Sequence, residues 1–341
     1  MLPGETCKPM TDHRTLYVGT DHALYRARPG LDGRWRAEGV ALAELGGVRS
    51  LLIDPGAPRH WWACTANSGV LVTHDEGISW REANHGISRM TGWCLARHPT
   101  TGELWYGAEP VSLFRSGDGG DTWTACESLD APSEPQTWAA PRPPYSNHVR
   151  HIALGRRGLV LVSIEEGWLL RSEDAGHTWV GVREGIDRDC HATGFLPGRP
   201  DAVLASTGSG IFRSEDGGRS FSPSDDGLRH RSVTEFMVHR ERPDVLFTAA
   251  AECDPWAAVQ RPEGANGAFY RSDDCGRTWW RLLGGLRSAP TCVAGDRGNR
   301  DSFYVGTTDG SVWLTEDGGE SFRIIVEGIS GRVRHLLLAR R

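Results

Sequence analysis

Short apolar runs alternate with polar turns along the whole chain, and one stretch shows the pattern clearly. Residues 167–170 are mostly apolar, a polar phrase containing Asp174 and Gly176 follows, and Trp179 closes the stretch. Ser and Asp side chains bond backbone groups a few residues further on, and glycine accepts the positive φ that a chain reversal requires. A large aromatic residue is typical of a pleated strand. The pattern therefore predicts a strand, a tight turn and a second strand.

The same phrase returns in register along the chain, with Ser or Thr, then Asp, Gly, Ser or Thr, and an aromatic residue at fixed offsets. It resembles the Asp-box, or BNR, repeat of sialidases, xyloglucanases, sortilin-type receptors and photosystem assembly factors. This resemblance implies a fold and not an activity. It also implies that the boxes are structural turns on the face away from the ligand. The six box aspartates are Asp75, Asp118, Asp174, Asp216, Asp274 and Asp317.

The closing aromatic residues recur about every 43 residues, which is typical of a four-stranded propeller blade. A further unit precedes the first box, because residues 16–20 resemble residues 303–307 and Trp35 takes the aromatic position. Its first strand is found at the other end of the chain, where residues 333–338 resemble residues 48–53. We therefore predict an all-β fold, a seven-bladed β-propeller of four-stranded antiparallel blades. A C-terminal strand that joins the N-terminal blade would close the ring and remove open sheet edges.

The chain is predicted to be a single propeller domain. Residues 1–12 are assigned to an N-terminal tail, residues 13–40 with 333–341 to the closing blade, and residues 41–332 to six Asp-box blades. Each blade is expected to run outward from an innermost strand A to strands B, C and D. The resemblance implies that the D-to-A and B-to-C loops share one face, on which ligands bind.

Two insertions fall on this predicted ligand face, near residues 130–147 and 252–266. Long loops on a rigid scaffold are where binding residues concentrate. Trp138 and Tyr145 lie in the first insertion and Trp256 in the second. Two interpretations stay open for these aromatic residues: they contact a ligand, or they anchor each loop to the top of the propeller.

Aligning the starts of the seven A strands brings several unusual residues to one equivalent position near the channel mouth. Three arginines there are an odd choice for packing, and guanidinium groups match carboxylate, sulfate or phosphate oxygens. The sequence thus predicts an anion site, and the alternative is a set of ion pairs with Glu109, Glu165 or Asp189. The aligned residues are Arg49, Trp93, Arg150, His191, Thr234, Thr291 and Arg334.

Acidic and imidazole side chains are predicted to meet on the same face. Glu109, Glu165, Asp189 and His191 are candidate catalytic residues, since carboxylates beside imidazoles suit general acid–base work. A divalent metal is the other prediction, with His148, His191 and Glu165 as ligands. A hydrated polar mouth without chemistry is the third interpretation.

Composition argues against some classes of binding partner. The net charge is −6 and no basic block exists, which argues against a nucleic-acid partner. No apolar run approaches the ~20 residues that a membrane span needs, and the N-terminal residues lack the apolar core of a signal peptide. We expect a cytoplasmic monomer.

The predicted function is binding of, or action on, a small anionic or sugar-like ligand, by a glycosidase-like or other small-molecule enzyme. The sialidase arginine triad and its tyrosine–glutamate pair cannot be matched residue by residue. The alternative function is a non-catalytic binding or assembly scaffold for a protein or a glycan.

Overall fold

Seven antiparallel sheets of four strands form a ring in the computed structural model, which describes residues 14–40, 46–126, 129 and 146–340. This confirms the predicted seven-bladed all-β propeller. Strands are numbered in chain order. The closing blade, blade 1, comprises β1 (Arg14–Thr20), β2 (Leu24–Pro29), β3 (Trp35–Val40) and β28 (Val333–Arg340).

The other six blades follow one another along the chain, each with its strands in the order A, B, C, D. Blade 2 has β4 (Val48–Asp54), β5 (Ala57–Thr65), β6 (Val70–Thr73) and β7 (Arg81–Glu82). Blade 3 has β8 (Thr91–Arg97), β9 (Leu104–Glu109), β10 (Ser112–Ser116) and β11 (Thr124–Ala125). Blade 4 has β12 (Val149–Leu154), β13 (Val160–Ile164), β14 (Leu169–Ser172) and β15 (Val180–Val182). Blade 5 has β16 (Cys190–Leu196), β17 (Arg199–Thr207), β18 (Gly210–Ser214) and β19 (Ser222–Pro223). Blade 6 has β20 (Ser232–Val238), β21 (Leu246–Ala251), β22 (Gly267–Ser272) and β23 (Trp280–Leu286). Blade 7 has β24 (Pro290–Gly295), β25 (Phe303–Thr307), β26 (Val312–Thr315) and β27 (Arg323–Val326).

The ring closes where the two ends of the chain meet. Strand β28 pairs antiparallel with β1 and becomes the innermost strand of blade 1, with Leu16 opposite Leu338 and Gly19 opposite His335. The predicted closure is confirmed. The second insertion carries a short helix, α1 (Pro255–Val259). Most of the first insertion, with Trp138 and Tyr145, lies outside the described residues. No helix in the described part of the chain is long and apolar enough to span a membrane.

Each box forms a hydrogen-bonded turn between strands C and D. In blade 4, Ser172 Oγ donates to Asp174 Oδ1 at 2.7 Å and accepts the Gly176 amide at 2.8 Å. The same carboxylate accepts the amides of His177 and Thr178. The Thr178 hydroxyl donates to Asp174 Oδ2 at 2.6 Å. This bond contributes most, and the others add to it, in holding the pKa of Asp174 below its ordinary value. Gly176 has a φ of 84°, which a side chain would strain.

The boxes also tie neighbouring blades together. An arginine that precedes a box donates to the carbonyl that follows the aspartate in the next box along the ring. In blade 2 the residue before the box is Val72, which cannot donate such a bond. Trp62 Nε1 of the same blade donates to the Gly119 carbonyl at 2.7 Å instead. Because these carbonyls lie at the A-to-B end of each blade, the ties stand opposite the channel mouth. The arginine ties are Arg115 to Ala175, Arg171 to Gly217, Arg213 to Cys275 and Arg271 to Gly318.

The apolar core lies between blades. One cluster joins Trp62 of blade 2 to Tyr106 and Trp123 of blade 3, all three buried. Trp123, which closes its own box, donates from Nε1 to the Ala83 carbonyl in blade 2 at 2.9 Å. The closing aromatic of one blade therefore packs against the preceding blade, which fixes the angle between them and places the strand A starts around a common channel.

Candidate functional site

A β-bulge at the same position of all seven A strands builds the channel mouth. In each A–B pairing the register skips one residue, so that Val48 and Ser50 pair with consecutive residues of β5 while Arg49 does not pair. A bulge leaves its extra residue out of the ladder and turns its side chain. All seven bulged residues line one cavity of about 180 Å³. They are Arg49, Trp93, Arg150, His191, Thr234, Thr291 and Arg334.

Below this ring, the next residue of six of the seven A strands lines the same cavity. Ser50, His151 and Glu235 are among the cavity's lining residues, and Pro255 of α1 reaches it from above. Burial lowers the pKa of His151 to about 4, so this imidazole is neutral near pH 7. The second layer is thus largely uncharged, in contrast to the ring above it.

Trp93 stands at the centre of the arginines. The guanidinium carbons of Arg49, Arg334 and Arg150 lie 3.8, 5.8 and 6.0 Å from the indole centroid. The His148 ring stacks on the same indole at 3.4 Å and 15°. Two groups this close cannot share one face, so Arg49 and His148 enclose the indole from its two sides. Trp93 Nε1 donates to Glu109 Oε2 at 2.8 Å, which fixes the indole in its plane.

Arg150 and Arg334 have carboxylate partners within their own blade. Arg150 Nη1 lies 3.3 Å from Glu165 Oε2, and Arg334 Nε donates to Asp21 Oδ1. Arg49 reaches across to blade 3, where it donates to the Gly92 carbonyl at 3.1 Å. The ion pairs thus include one that the sequence suggested, Arg150 with Glu165, and one with Asp21 that it did not.

Positive charge remains concentrated in the ring despite these pairs. Burial, together with the charges of Arg332 and Arg150, lowers the pKa of Arg334 to about 10, even though Asp21 acts in the opposite direction. Burial also holds the pKa of His148 well below its ordinary value, and the charges of all three ring arginines add to that effect. A neutral His148 follows near pH 7.

Glu165, Asp189 and His191 form a compact group at the rim of the mouth. One ligand atom from each lies within 4.8 Å of the others. His191 Nε2 is 3.2 Å from Asp189 Oδ2, and its Nδ1 is 2.7 Å from the Val233 carbonyl oxygen. Burial opposes ionisation of both partners, yet the Asp189 charge raises the pKa of His191 and the His191 charge lowers that of Asp189.

The structure divides the predicted acid–imidazole set into two parts. Glu165, Asp189 and His191 meet, whereas Glu109 and His148 lie against Trp93 instead. His148 Nδ1 lies 3.1 Å from the Ser146 carbonyl. Of the three predicted metal ligands, His191 and Glu165 therefore share a group with Asp189, and His148 does not. The side chain of Trp256 lies outside the description, although its helix borders the cavity.

Sequence reasoning missed two acidic residues. Asp21, in the B-to-C loop of blade 1, accepts hydrogen bonds from Arg334 and Arg332. Glu235 lines the cavity, accepts the Val293 amide at 3.0 Å, and has its pKa raised by burial to about 7. Glu235 follows a bulged residue in the aligned strand starts, and it is the one acid at that second position. That alignment is the signal by which it could have been found.

Comparison with known proteins supports the fold and no particular activity. No family model matches the chain, and no curated protein matches it. A GH74 xyloglucanase from Xanthomonas campestris is similar in structure, with 15% identity over 81% of this chain and 45% of its own, at a TM-score of 0.59. An ancestral GH74 enzyme gives 14% identity, 95% and 40% coverage, and a TM-score of 0.61. YCF48 bound to D1 peptide gives 16% identity, 90% and 91% coverage, and a TM-score of 0.59.

The chain spans less than half the length of either GH74 structure and nearly all of the YCF48 structure. At these identities the likeness is one of fold alone. The chain is a seven-bladed β-propeller similar in architecture to GH74 glycosidases and to YCF48.

Proposed function

We propose that the protein binds a small anionic ligand, such as a sugar acid, at the channel mouth and acts on it as a glycosidase-like or other small-molecule enzyme. The observation that carries this proposal is the convergence of Arg49, Arg150 and Arg334 within 6.0 Å of one indole centroid, in one cavity. Glu165, Asp189 and His191 at the rim supply the groups for chemistry on the ligand.

The electrostatics of the ring support an anion. Burial, and to a smaller extent the charges of Arg332 and Arg150, disfavour the charged form of Arg334 and lower its pKa, and a bound oxyanion would stabilise that charged form. Each guanidinium–oxyanion bond is charge-assisted and contributes roughly 1.5–3 kcal/mol net. Because Arg150 and Arg334 already have carboxylate partners, we expect moderate affinity.

The cavity limits the size of the ligand. Its volume is about 180 Å³, and an engineered cavity of about 150 Å³ in another protein holds a benzene molecule. Both faces of Trp93 are covered, so the indole offers no platform on which a neutral sugar ring would stack. The space therefore suits a small carboxylate, sulfate or phosphate, or the charged end of a sugar acid, rather than a polysaccharide chain.

Thermal unfolding with increasing sulfate, phosphate or glucuronate tests the anion site. The wild-type melting temperature should rise and saturate, as linkage to a native-state site requires. Arg150→Ala should remove the rise, and Arg150→Lys should restore it only in part because a planar fork becomes a point charge. Arg36→Ala is the matched control, since it removes one charge from an exposed strand of blade 1.

An equal, non-saturating response of wild type and Arg150→Ala would contradict the anion site. Hydrolysis of a panel of aryl glycosides and small esters tests the enzymatic part of the proposal. Turnover lost in Glu165→Gln with unchanged folding would support it.

A non-catalytic scaffold is the second candidate. The observation that favours it is the length match with YCF48, whose structure is described as bound to D1 peptide and is covered to 91% by this chain. A groove of about 410 Å³ beside the mouth, bordered by Asp21, Pro255 and Arg332, offers room for a peptide. Saturable peptide binding with no turnover on the panel would favour this function.

We also propose that the repeats are Asp-box repeats in the family sense. The shared bonding supports this, because the box Ser or Thr hydroxyl contacts the aspartate and accepts a glycine amide in all six copies.

A further inference from the structure

The geometry points to a divalent transition-metal site formed by Glu165, Asp189 and His191 at the rim of the channel mouth, with zinc as the ion that suits it best. The site goes beyond the proposed function, because binding of the ion needs no anion in the cavity. Imidazole nitrogen and carboxylate oxygen both bind zinc, and catalytic zinc sites use three protein ligands with a position left for water.

The orientation of His191 is the first argument. Its Nδ1 lies 2.7 Å from the Val233 carbonyl oxygen. A carbonyl oxygen only accepts hydrogen bonds, so Nδ1 carries a hydrogen and donates it. Nε2 then faces the Asp189 carboxylate at 3.2 Å and needs either a second proton or a cation between them. An imidazole that donates to a backbone carbonyl from its far nitrogen is the arrangement typical of metal-bound histidine.

The spacing of the ligand atoms is the second argument. Zinc binds imidazole nitrogen and carboxylate oxygen at about 2.0–2.2 Å. Two ligands 3.2 Å apart would then subtend an angle of about 100° at the ion, close to tetrahedral. One ion can therefore lie within bonding distance of both atoms at their present separation. Glu165, with its ligand atom within 4.8 Å of both, is the third ligand and must move closer to bind the same ion.

The third argument is the state of the carboxylate oxygens. Asp189 Oδ1 is buried and makes no hydrogen bond with the described residues. Glu165 Oε2 is also buried, and its partner is the ion-paired Arg150 guanidinium at 3.3 Å. Buried carboxylate oxygens of this kind are costly unless a charge compensates them. Arg150 lies 3.3 Å from Glu165 and supplies one positive charge against the two carboxylates. The second charge comes either from a second proton on His191 or from a cation. A zinc ion bound to unprotonated Nε2 takes the place of that proton, and because Arg150 competes for Glu165 we expect moderate zinc affinity.

Calorimetric titration of chelator-treated protein with zinc chloride tests the site directly. Wild type should bind one zinc ion per chain. His191→Gln and Asp189→Asn should each weaken binding at least ~10-fold, since each removes one of three ligands. Glu165→Gln should weaken it too, and this variant covers the case in which a change at buried His191 impairs folding. Cobalt(II) offers a second readout, because its visible absorption reports the number of ligands.

Two variants locate the ion. His148→Gln should leave zinc affinity unchanged, since its ring lies against Trp93. The stacked pair of His60 and His74 on blade 2, with ring centroids 4.3 Å apart, is a surface site that could take zinc adventitiously. Binding abolished by His74→Gln and unaffected by His191→Gln would overturn the proposal, and so would an absence of binding by folded wild type. The anion titration contains no metal, so either proposal can fail without the other.

Discussion

Replacing Glu235 by glutamine should change how the stability of the protein depends on pH. Glu235 is enclosed in the channel, where burial raises its pKa from 4.5 to about 7. Its Oε2 accepts the Val293 amide at 3.0 Å, and the carbonyl oxygen of glutamine can accept the same bond. The substitution therefore removes an ionisable group and keeps the shape and the hydrogen bond.

The size of the expected change in stability follows from the shifted pKa of Glu235. One pKa unit corresponds to about 1.36 kcal/mol. The shift of the Glu235 pKa from 4.5 to about 7 therefore means that folding disfavours the ionised carboxylate by roughly 3 kcal/mol. The folded state favours the protonated carboxyl. The stability that the protonated carboxyl contributes to the folded state is therefore fully present below the ordinary pKa of glutamate. It is lost as the pH rises through about 7.

Urea unfolding of wild type and Glu235→Gln between pH 4.5 and 8.5 gives the difference in free energy of unfolding. The variant should have nearly wild-type stability at the acid end and exceed it by roughly 2–3 kcal/mol at the alkaline end. Glu320→Gln, on an exposed turn, is the control and should show no such trend. A difference that stays constant from pH 4.5 to 8.5 would refute the argument that Glu235 is protonated by burial.

Three further predictions concern the scaffold. Deleting residues 333–341 should abolish cooperative unfolding in circular dichroism, because loss of β28 opens the ring and exposes sheet edges; a wild-type melting curve would contradict the closure. Arg213→Met should lower the free energy of unfolding in urea by about 1–3 kcal/mol, since it leaves the Cys275 carbonyl without its donor. Arg219→Met, at a position 60% exposed, should change it by less than about 0.5 kcal/mol, and equal losses would refute the role of the tie. Asp216→Asn should reduce thermal stability and leave the sulfate-induced rise in melting temperature unchanged; a selective loss of that rise would place the boxes at the ligand face.

The sequence by itself determined the blades. Box turns such as the one at Asp174 depend on side chains bonding backbone within five residues, so their chemistry is readable from the order of residues. Periodic return of the turn determined six blades, and the resemblance of residues 16–20 to 303–307 and of residues 333–338 to 48–53 determined the seventh blade and the partner of β28. Repetition also made the aligned position readable, because equivalent residues of equivalent blades occupy equivalent places around the axis.

Only the tertiary structure decided which partner each aligned residue takes. Arg334 pairs with Asp21, more than 300 residues away in the chain, and no local pattern records that contact. Glu109 and His148 were expected beside His191, yet their side chains lie against Trp93.

The physical reason is that long side chains around one axis compete for a few partners over distances of 3–6 Å, and burial decides which charges persist. Glu235 shows this most plainly. Its identity is in the sequence, but the raised pKa of its carboxyl comes from burial in the assembled channel.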